Sequence, residues 1–154
     1  MAAATIVNRP TIAMVAIVIV TGCTQQEQTV TYDESTTVVA IGDSIMVGAS
    51  QYLSDLVDGI VIDAEVGRPF AGGVAALERR NVATEPPDIL VVALGTNGGT
   101  TAARIDELIA AAGDVDELIF VNIRVPRDWE DATNAAMEAW SQATLGDAMM
   151  VGCG

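Results

Sequence analysis

"TVVAIGDSIMVGAS", residues 37–50, begins as a run of β-branched apolar residues and then passes through Gly-Asp-Ser into a stretch with helical spacing. The apolar run is continuous rather than alternating, which is typical of a strand buried on both faces of a sheet. Two interpretations of Ser44 follow. It is either a nucleophile held at the edge of a sheet, or the N-cap of the next helix without any chemistry.

The same alternation continues along the chain. Runs rich in Val and Ile are separated by segments with apolar residues on one helical face, such as Leu53 and Leu56, or Ile105 and Leu108. This order predicts parallel βαβ units with right-handed crossovers, and hence a flavodoxin-like three-layer α/β/α sandwich. The five predicted strands of its parallel sheet lie at residues 37–42, 59–64, 88–94, 117–124 and, more weakly, 147–152.

Turns rich in small, polar or charged residues follow the first four predicted strands. In an open parallel sheet, ligands bind outside the carboxyl ends of the strands. A site is therefore expected at this edge of the sheet. Its turns would be Gly-Asp-Ser at 42–44, EVGRPFAGG at 65–73, GTNGG at 95–99 and RVPRDWED at 124–131.

The composition limits the classes of partner. The 154 residues have the length of one domain, with 21 acidic and 7 basic residues, no histidine and a net charge of -14. A chain this acidic repels a phosphate backbone, so nucleic acid is excluded as a partner. No cofactor and no metal ion is expected.

The first 36 residues differ from the rest of the chain. Residues 1–22 combine Arg9 with an apolar run that is shorter than the roughly 20 residues of a spanning helix, which predicts a signal peptide. Val-Thr-Gly-Cys at 20–23 resembles the lipobox of bacterial lipoproteins, which implies acylation of Cys23 and a polar tether over residues 23–36. An ordinary signal peptide with an incidental cysteine, or a Cys23–Cys153 disulfide, are the alternatives. The expected location is the outer face of the cytoplasmic membrane, held by a lipid anchor, or the periplasm.

Four segments together resemble the SGNH, or GDSL-type, hydrolases. GDSIMVG, EVGR and LGTNG are similar to the first three sequence blocks of that family, in the same order. FVNIRVPRDWEDATN at 120–134 is similar to the extracytoplasmic SGNH domains of peptidoglycan O-acetyltransferases. The resemblance implies an SGNH domain over residues 37–154, with Ser44 as the nucleophile. It also implies that the backbone N–H groups of Ser44 and Gly67 and the side-chain amide of Asn97 form an oxyanion hole.

Other roles remain open for these residues. Gly67 can serve only to form a turn, and Asn97 in an Asn-Gly pair is common turn chemistry. Asp43 is expected to support its loop through backbone hydrogen bonds rather than to act as a catalytic acid.

The basic and aromatic residues of the turns have two interpretations. Arg68, Arg124 and Arg127 are candidates for binding an anionic or sugar substrate, but surface salt bridges to the many carboxylates explain them equally well. Trp129 is a candidate platform for a sugar ring, and core or rim packing is the alternative.

The family resemblance also implies a catalytic His and an Asp from a D-x-x-H block near the C-terminus. The sequence has no histidine and ends at Gly154, so we expect a truncated or disrupted domain that is close to inactive. The predicted function is that of an exported serine esterase or O-acetyltransferase that acts on cell-wall carbohydrate through an acyl-serine, with a membrane acyltransferase as a possible partner. A non-catalytic carbohydrate-binding or scaffolding lipoprotein is the alternative. A nucleotide-binding domain is disfavoured because no G-x-G-x-x-G or P-loop follows the first strand.

Overall fold

The computed structural model describes residues 35–80, 82 and 84–144, with side chains described through residue 142. Several predictions fall on other residues. The signal peptide at 1–22, the acylated Cys23, most of the tether, Cys153 and the fifth strand at 147–152 lie outside the described residues.

Strands and helices alternate throughout the described part of the chain, which confirms the predicted α/β class. Its four strands are all parallel, in the order β2-β1-β3-β4. None of the helices in residues 35–144 has both the length and the apolar character needed to cross a bilayer. The elements are β1 (Val38–Gly42), α1 (Ser44–Leu56), β2 (Val61–Ala64), α2 (Phe70–Arg79), β3 (Ile89–Ala93), α3 (Ala102–Ala112), β4 (Glu117–Phe120) and α4 (Glu130–Thr144).

The strand order determines which helices share a face of the sheet. The chain steps outward from β1 to β2 through α1, and then steps in the opposite direction from β2 to β3 and from β3 to β4. Right-handed crossovers therefore put α1 on one face and α2 and α3 together on the other, where they pack against each other. The buried core includes Leu77 of α2, Leu90 and Val92 of β3, and Leu108 of α3.

Two elements differ from the sequence prediction. Strand β4 ends at Phe120 and not at residue 124. The reason is that the side-chain amide of Asn134 accepts from the backbone N–H of Ile123 at 2.8 Å and donates to its carbonyl at 2.9 Å. Helix α1 buries only Met46, whereas Leu56 of its predicted apolar face is 62% exposed. The first difference arises because a side-chain amide replaces a neighbouring strand, and sequence periodicity does not report such a contact.

The strand register brings three turns to one level. Gly42, the last residue of β1, pairs with Ala64 at the end of β2 and with Ala93 at the end of β3. The carboxyl ends of these strands are therefore flush, and the turns that follow them start side by side. Small residues at all three ends leave room for the turns to converge.

At the other end of the strands, a set of hydrogen bonds, here called the clasp, joins the residues that precede β1 and β3. Asp88, before β3, accepts from the backbone N–H and the hydroxyl of Thr37, before β1, at 2.6 and 2.8 Å. The backbone N–H of Asp88 donates in return to the Thr37 hydroxyl at 3.0 Å. The hydrogen bond from the backbone N–H of Thr37 lowers the pKa of Asp88 most, and the bond from the Thr37 hydroxyl lowers it further.

Candidate active site

The turn after β1 presents Ser44 at the start of α1. The N-cap is Asp43, whose Oδ1 accepts from the backbone N–H of Ile45 at 3.0 Å, so the interpretation of Ser44 as an N-cap is wrong. The hydroxyl of Ser44 is half-buried and makes no hydrogen bond within the described part of the chain. Gly42 is required before this turn because a Cβ there would lie 2.1 Å from the Cβ of Met46. The sequence thus folds so that Ser44 sits at the positive end of the helix.

The carboxylate of Asp43 ties this turn to the turn after β3. Asp43 is fully buried, and its Oδ2 accepts from the hydroxyl of Thr96 at 2.5 Å. Its backbone N–H donates to the carbonyl of Ala93 at 3.2 Å. Both carboxylate oxygens are therefore occupied by protein donors, one on each turn. Thr96 was not among the residues predicted for the site, although a hydroxyl just before Asn97 at a strand end was the available signal.

The turn after β2 exposes Gly67. The backbone N–H of Arg68 donates to the carbonyl of Glu65 at 3.2 Å, and Gly67, third in this four-residue turn, has a φ of 78°. A positive φ at that position is the requirement of a type II turn, which glycine meets without strain. The backbone N–H of Gly67 has no partner among the described residues, and a Cβ added at Gly67 would point into open space. This N–H is available to a ligand.

Arg68 is buried within the same turn. Its guanidinium donates to the backbone carbonyl and to Oδ1 of Asp63, both at 2.6 Å, and lies 3.4 Å from a carboxylate oxygen of Glu65. The side chain is only 4% exposed. This geometry corresponds to the ion-pair alternative for Arg68, although the predicted partner was a surface carboxylate. The Arg68 side chain fixes the shape of the turn that presents Gly67.

The side chain of Asn97 completes the junction of the three turns. Its Nδ2 donates to the backbone carbonyl of Arg68 at 3.5 Å and to the hydroxyl of Thr96 at 3.2 Å. Asn97 is exposed, so its amide stands at the rim between the turns that follow β2 and β3. Ser44, Gly67 and Asn97 are therefore brought to the same edge of the sheet by directly hydrogen-bonded neighbours.

Trp129, in the turn before α4, packs against the turn after β3. Its Nε1 donates to the carbonyl of Gly95 at 3.0 Å, and a Cβ on Gly99 would lie 2.9 Å from the Cβ of Trp129. Arg127 lies over the Trp129 ring at 5.8 Å from its centroid. These contacts correspond to the packing alternative for Trp129. The indole packs against the turn that carries Asn97 and stabilises it.

A cavity lies along the same turn, and Ser44 is not among the residues that line it. Its volume is about 570 Å³, and both signs of charge line it. Arg124 is 86% exposed and stands 3.9 Å from Glu130, so its guanidinium is largely free to meet solvent or a ligand. The lining residues are Arg124, Val125, Pro126, Arg127, Asp128, Glu130 and Asp131.

A scan against protein-family models finds no match, but individual proteins are similar to this chain in sequence. The chain is 31% identical over 111 residues to YrhL of Bacillus subtilis, which covers 72% of this chain and 17% of that protein. It is 32% identical over 102 residues to the peptidoglycan O-acetyltransferase OatA of Listeria monocytogenes, which covers 66% of this chain and 16% of that protein. The chain thus spans about a sixth of the length of these curated relatives.

Solved structures share the fold. The catalytic domain of peptidoglycan O-acetyltransferase A from Streptococcus pneumoniae, solved with a methylsulfonyl adduct, superposes with a TM-score of 0.60 at 18% identity, over 71% of this chain and 65% of that chain. AlinE4, an SGNH-hydrolase family esterase, superposes with a TM-score of 0.54 at 16% identity, over 79% and 77%. At such identities the solved structures show a shared fold alone. The similarity in sequence is to the curated relatives named above. The chain is therefore similar in sequence to part of the peptidoglycan O-acetyltransferases, and its fold is that of the SGNH (GDSL-type) hydrolases.

Proposed function

We propose that this chain is an exported serine esterase or O-acetyltransferase that acts on O-acyl groups of cell-wall carbohydrate. The names of its relatives support the substrate class. The observation that carries the proposal is the hydrogen-bonded junction of three turns, which gathers a free hydroxyl, a free backbone N–H and a side-chain amide at one edge of the sheet. Acyl transfer needs these groups together, since the nucleophile and the oxyanion donors must act on one carbonyl.

The proposed reaction begins at Ser44. Its Oγ attacks the acyl carbonyl carbon, a C–O bond forms, and the hydroxyl proton passes to a base while the carbonyl oxygen becomes an oxyanion. The carbonyl then re-forms, the bond to the departing alcohol breaks, and that alcohol takes up a proton. Water or a sugar hydroxyl attacks the resulting acyl-serine in the same way and regenerates the Ser44 hydroxyl.

The oxyanion would be held by three neutral donors. Two are the backbone N–H groups of Ser44 and Gly67, and the third is Nδ2 of Asn97. The 3.5 Å bond from Asn97 to the carbonyl of Arg68 is long, so exchanging it for a bond to substrate costs little. Removing one such donor typically costs about a hundred- to a thousandfold in turnover.

The proton acceptor is the weak part of this site. The sequence has no histidine, and no described side chain accepts a hydrogen bond from the Ser44 hydroxyl. In serine enzymes that lose their histidine, turnover falls by about a millionfold. We therefore expect the 154-residue chain to form acyl-serine very slowly. The same observation favours the second candidate function, that of a carbohydrate-binding or scaffolding protein whose site binds a ligand without catalysing a reaction.

Export and attachment are proposed on the sequence pattern alone. A signal peptide at 1–22 and acylation of Cys23 would hold the domain at the outer face of the membrane. A membrane acyltransferase would then supply the acetyl group that Ser44 accepts.

Labelling with a fluorophosphonate tests the proposal, with adducts assigned to individual serines by mass spectrometry. We expect slow labelling at Ser44, accelerated by added imidazole as a replacement base, and slowed about a hundredfold by Asn97→Ala. Ser50 is the internal control, because its hydroxyl on the same helix donates to the carbonyl of Val47 at 2.8 Å. Equal labelling of Ser44 and Ser50 would contradict the proposed function. Rapid labelling without imidazole would contradict the claim that the base is missing.

A further inference from the structure

We propose that Thr96 is a positioning residue that couples the oxyanion amide of Asn97 to the turn that carries Ser44. The inference rests on the proposed function, because it assigns a role within the same site. The sequence pattern does not predict a role for this hydroxyl. It follows from the direction of the hydrogen bonds through Thr96.

The hydroxyl of Thr96 has one proton to donate and forms hydrogen bonds with two side chains. It donates its only proton to Oδ2 of Asp43 at 2.5 Å, and it accepts from Nδ2 of Asn97 at 3.2 Å. A charged acceptor makes the first bond the stronger one, so the hydroxyl proton points toward Asp43 and the oxygen lone pairs point toward Asn97. Because the carboxylate is fully buried, water cannot replace the Thr96 hydroxyl as its donor.

The chain of bonds continues into the backbone of the nucleophile turn. Oδ1 of Asp43 accepts from the N–H of Ile45, the residue that follows Ser44. One relay therefore runs from the Asn97 amide through Thr96 and Asp43 to the helix start. Its effect is to fix the distance between the amide and the Ser44 oxygen, which is the distance that stabilisation of an oxyanion depends on.

The test replaces the serine with a nucleophile that does not need a histidine. In the 154-residue chain with Ser44→Cys, Cys23→Ser and Cys153→Ser, the only thiol is at position 44, and near pH 8.5 it is substantially ionised. Two reagents are compared. With p-nitrophenyl acetate an S–C bond forms, p-nitrophenolate leaves, and the intermediate carries an oxyanion. With iodoacetamide an S–C bond forms, iodide leaves, and no oxyanion arises.

We expect Thr96→Val to slow acetylation by about ten- to a hundredfold while leaving alkylation unchanged. Thr96→Ser keeps the hydroxyl and should restore acetylation. Thr100→Val is the matched control, because Thr100 is a buried threonine near Thr96 whose hydroxyl has no partner among the described residues, and it should change neither rate. If circular dichroism shows that Thr96→Val is unfolded, Thr96→Ala takes its place.

The outcomes separate the inference from the proposed function. If Asn97→Ala slows acetylation and Thr96→Val does not, the positioning role is overturned and the oxyanion hole stands. A parallel loss of acetylation and alkylation in Thr96→Val also overturns it, since that result is general disorder of the site. If acetylation at position 44 is no faster than that of a free cysteine peptide and is insensitive to Asn97→Ala, the proposed function fails and takes the inference with it.

Discussion

The buried hydrogen bond between Asp43 and Thr96 predicts a coupling in stability that a double-mutant cycle can measure. Asp43→Ala removes the N-cap of α1, worth about 1 kcal/mol, and also the acceptor of the Thr96 hydroxyl. Thr96→Val removes only the donor and leaves the carboxylate buried. A hydrogen bond to a charged group contributes about 1.5–3 kcal/mol, so the coupling free energy between the two sites should fall in that range.

The assay is urea unfolding of the parent chain, the two single variants and the double variant, followed by circular dichroism. Thr101→Ala is the control, because Thr101 caps α3 through a 3.4 Å bond from the N–H of Arg104 and has no hydrogen-bond partner on another turn among the residues that the structure describes. It should cost about 1 kcal/mol or less, and it should be additive with Thr96→Val. A coupling below about 0.5 kcal/mol between Asp43 and Thr96 would refute the view that this bond holds the two turns together.

Three further predictions concern a glycine, an arginine and an aspartate. Gly42→Ala should destabilise the fold by about 1–3 kcal/mol in urea because its Cβ overlaps a neighbouring side chain, whereas Gly48→Ala, in open space on α1, should be neutral or stabilising. Arg68→Met should cost about 3 kcal/mol because the partly buried carboxylate of Asp63 would keep only its 3.9 Å pair with Arg80, while Arg104→Met, in an exposed pair, should cost less than about 0.5 kcal/mol on the same urea assay. The lowered pKa of Asp88 contributes stability that is fully present above its ordinary value of 3.8 and is lost as the pH falls through its folded value, so Asp88→Asn should flatten the loss of thermal stability in acid. An unchanged acid slope in that variant would contradict the role of the clasp.

Much of the fold could be predicted because the strands are continuous apolar runs. Burial on both faces leaves a pattern that does not depend on tertiary detail, and the order of elements then follows from the alternation. The end of β4 could not be predicted in this way. There the backbone of Ile123 is satisfied by the side chain of Asn134, eleven residues away, and apolar spacing carries no information about that contact.

The site could be predicted to the level of its turns, but not of its hydrogen bonds. The sequence placed Ser44, Gly67 and Asn97 after neighbouring strands, and the register puts those strand ends at one level. It did not indicate that Asp43 would cap the helix and bind Thr96 with the same carboxylate. The bond from Thr96 depends on the distance between two turns that are 53 residues apart along the chain, and local propensity does not determine that distance.

The flush ends of β1, β2 and β3 make the site intolerant of changes in strand length. Inserting one residue into β2 would displace its turn by about 3.3 Å and exchange the two faces of the strand. Insertions within 124–128 leave those three strands untouched, although they alter the approach to Trp129. Variation in length among such domains should therefore accumulate beside β4, where it changes what can approach the site without altering the spacing of the groups inside it.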